Sequence, residues 1–178
     1  MNASTRTLRW TLLMPLVLML SACASIEHSA SVKLDRQASW VVLPIVNLSE
    51  TPQAGLRLET LLESQLRAAG VGNLKRYPAE IGADLLLDPR ETRLQEQAAS
   101  WAKAQGARYA LTGTVTEWRY KTGVDGEPAV GATLQIVNAQ DGAVLYSASG
   151  ARTGWSRESL TAVAQKLTRE LLDQAGLK

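Results

Sequence analysis

The chain has 178 residues, with 19 Lys and Arg against 17 Asp and Glu, one histidine and one cysteine. A single cysteine closes no internal disulfide, and His28 alone supplies neither a zinc cluster nor a histidine-based nucleophile relay. The positive excess is Arg6 and Arg9, both near the amino terminus, so the rest of the chain is formally neutral and nucleic-acid binding loses its usual electrostatic support.

Residues 1–22 have the layout of a secretory leader. Arg6 and Arg9 form a short positive region, and Trp10 to Leu20 (WTLLMPLVLML) is an apolar run too short to span a bilayer stably. Leu20-Ser21-Ala22-Cys23 then reads as a lipobox, where a bacterial lipoprotein precursor is acylated on the cysteine and cut before it. Each buried CH₂ contributes roughly 0.8 kcal/mol, so two or three acyl chains hold a domain on a membrane. The alternative is an ordinary secretory leader cut near Ala24. The residue that follows Cys23 is Ala, not Asp, which points to the outer membrane, periplasmic side. Residues 23–38 are expected to form a lipidated tether, and 39–178 a single domain.

Trp40 to Leu48 (WVVLPIVNL) reads as a buried central strand, with Pro44 marking an edge or a bulge. Thr51 as N-cap and Pro52 at the first helical position start a helix whose inward stripe is Leu58, Leu61, Leu62 and Leu66, stopped at Gly70. Asn73 to Arg76 is a candidate short strand, and Tyr77 to Asp88 has no clear type. Asp88-Pro89 starts a second helix with Leu94, Ala98 and Trp101 inward, closed by Gly106. Arg108 to Tyr120 is a long strand with Tyr109, Leu111 and Val115 on one face and Thr112, Thr114 and Thr116 on the other. Gly113 leaves room for another backbone. Val130 to Asn138 follows, then an Asp141-Gly142 hairpin into Val144 to Ala151, which together predict an antiparallel meander. Ser156 is the expected cap of a last helix with Leu160, Val163, Ala164, Leu167 and Leu171 inward. The order β-α-β-α-β-β-β-α implies a single α/β domain, a mixed β-sheet with a C-terminal antiparallel meander and helices packed on it.

No catalytic constellation emerges. Gly70-x-Gly72 lacks the third glycine and a following helix, no Walker lysine follows a glycine run, and no serine sits in a nucleophile elbow. The carboxylates fall mostly in turns or on solvated helix faces, so the chain is expected not to be an enzyme, with no cofactor and no metal. Two positions are candidate surfaces. Trp155, in the connection Ala151-Arg152-Thr153-Gly154-Trp155, suits a membrane interface beside Arg152, or else folds back under the last helix as a hydrophobic staple. Asp125, in the loop TGVDGEP, is either a turn former or, if many copies face one axis, part of a strong negative field.

Three stretches carry a family resemblance: WVVLPIVNLSETPQAG, AQGARYALTGTVTEWRYKTGVDGEP and DGAVLYSASGARTGWSRESLTAVAQKL. With the lipobox, they resemble the PelC family of outer-membrane lipoproteins, which serve Pel exopolysaccharide secretion. The stretch from Gln105 to Gly113 is also similar to the N-terminal domain of TolB. The resemblance implies a TolB N-terminal-like α/β fold and a homo-oligomeric ring, a dodecamer, under the outer membrane. It implies work with PelB, whose β-barrel spans that membrane, in guiding a cationic polysaccharide. On this resemblance Cys23 is the lipid anchor, Asp125 lines an acidic funnel, and Arg152 and Trp155 face membrane lipid. The competing expectation is a TolB-like periplasmic adaptor lipoprotein that positions or activates a cell-envelope protein.

Overall fold

The computed structural model describes residues 24–78, 89–123 and 126–177, with the backbone alone for 89–92. In chain order the elements are β1 (Ala24–His28), β2 (Trp40–Asn47), α1 (Ala54–Ala68), β3 (Leu74–Arg76), α2 (Pro89–Ala104), β4 (Tyr109–Tyr120), β5 (Pro128–Asn138), β6 (Val144–Thr153) and α3 (Leu160–Asp173). The strands form one mixed sheet in the order β1-β6-β5-β4-β2-β3. β4, β5 and β6 are the antiparallel meander that their alternation and the Asp141-Gly142 turn predict. β2 runs parallel to both β3 and β4, so the chain must cross over between them, and α1 and α2 make those crossings. Pro44 sits where the β2–β4 register shifts between Val42 and Ile45, so its missing donor falls at a bulge.

One face of the sheet carries α1 and α3 and holds the main core. Leu58, Leu62 and Leu66 of α1 and Val163, Leu167 and Leu171 of α3 are fully buried against Leu111, Leu134, Ile136 and Tyr146. Helical spacing on one side and strand alternation on the other bring these residues together. The Tyr146 hydroxyl donates to the Leu171 carbonyl at 2.7 Å, tying β6 to the last turn of α3. Gly113 lets β4 and β5 close up, because a Cβ there would strike the Thr133 carbonyl and Leu134. The opposite face carries α2, which lays Ala98 and Ala102 over Val41, Leu43 and Ala110. Trp101 meets Tyr77 edge-on at 5.4 Å beside them.

The structure departs from the sequence reading in four places. Residues 24–28 lie within the expected tether but form an edge strand, antiparallel to β6, with Ala24 opposite Arg152 and His28 opposite Ala148. Ile26 packs on the core, and β1 covers an edge of β6 that would otherwise be bare. Thr51 does not cap α1. Its hydroxyl donates to the Trp118 carbonyl, and the helix follows Gln53, which stands at φ 60° with no side-chain cap bond. Ser159 rather than Ser156 caps α3, its Oγ accepting from the Ala162 N–H at 3.1 Å. The third strand of the meander runs on to Thr153, and the second starts at Pro128 rather than Val130. Of the segment Tyr77 to Asp88, residues 79–88 lie outside the described residues.

Candidate functional site at one end of the sheet

β4 and β6 end, and β1 and β5 begin, at the same end of the sheet. Backbone bonds knit that end together. Lys121 N–H donates to the Glu127 carbonyl at 2.7 Å, and Gly154 N–H to the Pro128 carbonyl at 2.8 Å. Lys121 Nζ donates to Thr153 Oγ1 at 2.9 Å. Asp125 and Cys23 lie outside the described residues. The loop that contains Asp125 joins Tyr120 to Pro128 at this end, and Cys23 is one peptide bond from Ala24, which pairs with Arg152.

Trp155 is 59 % exposed, so it is not a staple under α3. The reason lies in how its turn is built. Glu158 N–H donates to the Trp155 carbonyl at 2.8 Å, closing a turn just before Ser159 caps the helix. The Glu158 carboxylate lies beneath the turn and takes Lys166 Nζ at 2.6 Å. That hydrogen bond is the largest cause holding the Glu158 carboxyl below its usual range; the charges of Lys166 and Arg152 and the Trp155 backbone N–H add to it, against an opposing effect of burial. Gly154 is wedged in the same place. A Cβ there would meet Val163 Cγ2, Glu158 Oε2 at 2.6 Å and Pro128 Cγ at 3.1 Å. With the inner side of the turn filled, the indole has only the outer side to occupy.

Arg152 is engaged within the subunit. Its guanidinium pairs with Glu170 of α3, and its side chain is only 16 % exposed. This ties the end of β6 to α3 beside the turn that carries Trp155. Neither ion pair was legible in the sequence, because Glu158 to Lys166 and Arg152 to Glu170 fall outside the three- and four-residue spacings that pair side chains on one helix. Between the β2–α1 connection and β4 lies an open cleft of about 430 Å³, lined by Leu48, Ser49, Glu50, Glu117 and Arg119 among others. The Glu117 carboxylate there is held by Arg119 at 2.9 Å. Among the described residues no three His, Cys, Asp or Glu side chains group to hold a metal ion, and no helix is long and apolar enough to cross a membrane.

The chain is similar to the PelC dodecamer from Paraburkholderia phytofirmans, with 38% sequence identity and a TM-score of 0.74, covering 88% of this chain and 99% of that one. It shares its fold with the lipoprotein GNA1162 from Neisseria meningitidis, at 21% identity and a TM-score of 0.51, covering 77% of this chain and 96% of that one. The hypothetical protein CT253 from Chlamydia trachomatis shares the fold at 9% identity and a TM-score of 0.51, covering 79% of this chain and 96% of that one. No protein-family model matches the chain, and no curated protein sequence matches it.

Proposed function

This chain belongs to the PelC family, and from that we propose that it is a lipid-anchored outer-membrane subunit that assembles into a ring and guides cationic Pel exopolysaccharide through the periplasm toward the PelB barrel. The observation that carries the reading is the 38% identity extending over 99% of a chain that forms a dodecamer.

The anchor end supports it physically. Acyl chains on Cys23 would leave the chain one residue before β1, at the end of the sheet that displays Trp155. Indole is at home among lipid headgroups, so the anchor and Trp155 would hold this end against the bilayer. Arg152 would then serve Trp155 by fixing β6 to α3 through Glu170, with whatever charge it still presents directed to phosphate. The same end carries the Asp125 loop. A chain that is formally neutral apart from its leader makes an acidic funnel only by repetition, when carboxylates from many copies converge on one axis and their fields add. Many shallow attractions suit a polymer that must enter and still slide.

The test is Asp125→Lys in the full chain, expressed in a strain that depends on it for export. The expected result is reduced polymer secretion with an unchanged ring mass. Unchanged secretion removes Asp125 from the mechanism. Cross-linking in cells separates the ring from an adaptor: a ladder of self-products supports the ring, and one band with a different protein supports the adaptor.

A further inference from the structure

β2 stops short of β4. Their pairing ends with Asn47 opposite Val115, and the last bond runs from the Leu48 N–H to the Val115 carbonyl at 2.9 Å, whereas β4 continues to Tyr120. Residues 116–120 of β4 therefore have a strand on one side only, β5. The Lys121 N–H bonds to the Glu127 carbonyl, so by the alternation of an antiparallel ladder Arg119 and Glu117 also face β5. Trp118 and Tyr120 then turn their N–H and C=O groups to the bare side. Among the described residues one of these four groups is taken there, the Trp118 carbonyl, which accepts the Thr51 hydroxyl.

The bare side opens on the cleft of about 430 Å³, whose other wall is Leu48, Ser49 and Glu50. That wall is preformed. Asn47 Nδ2 donates to the Thr51 carbonyl at 2.9 Å, and Asn47 Oδ1 accepts from the Ser49 N–H at 3.1 Å, which turns the chain out of β2 and fixes the loop. Leu48 in the wall and Tyr120 at the end of β4 are each 50 % exposed. Glu50 is exposed and makes no ion pair among the described residues, whereas Glu117 is already held by Arg119. Trp118 is only 2 % exposed, so its ring offers no platform for a sugar. What the cleft does offer is a row of backbone groups on alternate residues of an extended strand, roughly 7 Å apart, and the group that matches such a row is the backbone of another strand.

We propose that this bare stretch of β4 receives an extended peptide segment of a different protein, added to the sheet as a strand in line with β2. Backbone bonds to Trp118 and Tyr120 hold the segment. An apolar side chain against Tyr120 and Leu48, and a lysine or arginine toward Glu50, select it. Tyrosine and arginine are enriched at protein–protein contacts, and Tyr120 and Arg119 stand at this edge. A second copy of this chain is the poorer donor, because among the described residues each of its six strands is already part of its own sheet.

The test uses the full chain in mild detergent and, as probe, an end-blocked heptapeptide that alternates valine and lysine, read by hydrogen exchange. The expected result is that the Trp118 and Tyr120 amides exchange roughly tenfold or more slowly with the peptide present, and that the same peptide with its alternate amides N-methylated has no effect. Tyr120→Pro, which removes a donor outside the β4–β5 ladder, should abolish the effect. Glu50→Lys, on an exposed loop, should weaken peptide binding roughly threefold or more at an unchanged melting temperature. No slowing by the peptide overturns the proposal, and so does binding that Glu50→Lys leaves unchanged. Slowing by a glucosamine oligomer and not by the peptide overturns it in favour of a saccharide site. Amides already protected in an assembled chain and exposed in the monomer overturn it in favour of a second copy.

Discussion

On one face of the sheet, leucines from α1 and α3 interlock with β4, β5 and β6 until scarcely any of their surface reaches water. On the other, among the described residues, α2 lays Ala98 and Ala102 over Val41 and Leu43 of β2 and Ala110 of β4, with Trp101 beside them. Among the described residues the first face buries large side chains from two helices, and the second mostly alanines from one. At the end of the sheet, between the two faces, Trp155 stands exposed.

The largest effect should come from the packed face. Leu167→Ala, at a fully buried site, should lower unfolding free energy by about 3 kcal/mol in a denaturant titration, whereas Ala98→Gly on α2, also buried, should cost about 2 kcal/mol from helix propensity and one lost methyl. Equal losses would break the contrast between the faces. Gly154→Ala should come next, at about 2 kcal/mol, since a methyl group there forces Val163, Glu158 and Pro128 apart. The Trp155 emission should shift in the same variant if its turn is set by that packing.

Tyr146→Phe should cost about 1 kcal/mol by removing the bond to the Leu171 carbonyl. Burial first, and then the Asp173 charge, raise the Tyr146 pKa above 10.0. The folded state therefore holds its proton more tightly than the unfolded chain does. That contribution is present below pH 10.0 and is lost as the pH rises toward the raised value, so Tyr146→Phe should be less sensitive to alkali. Glu158 works in the opposite direction. Its lowered pKa gives stability that is present above 4.5 and is lost as the pH falls through the folded value, so Glu158→Gln should flatten the acid side of the stability profile. Smallest of all, Trp155→Ala should change stability by no more than about 0.5 kcal/mol while weakening binding to anionic vesicles. A large loss of stability would mean that the indole packs on the domain after all.

Much of this architecture was legible in the sequence because it rests on periodicity. The stripe from Leu58 to Leu66 and the alternation from Tyr109 to Val115 name their buried faces directly, and Asp141-Gly142 marks the hairpin. What stayed hidden depended on distant partners. β1 has one apolar residue facing the core, Ile26, and becomes a strand only because β6 offers an edge. Thr51 has the right residue type for a cap, but the Trp118 carbonyl, far away in sequence, takes its hydroxyl. At the candidate site the position of Trp155 was visible and its exposure was not. That exposure follows from Gly154, Glu158 and Lys166 meeting beneath the turn.

The most direct test of the account is the mass in solution of the chain carrying Cys23→Ser and freed of its leader, measured over a wide concentration range with and without lipid. The account predicts a closed assembly of about twelve subunits, as in the similar dodecamer. A monomer under every condition, lipid included, would contradict it.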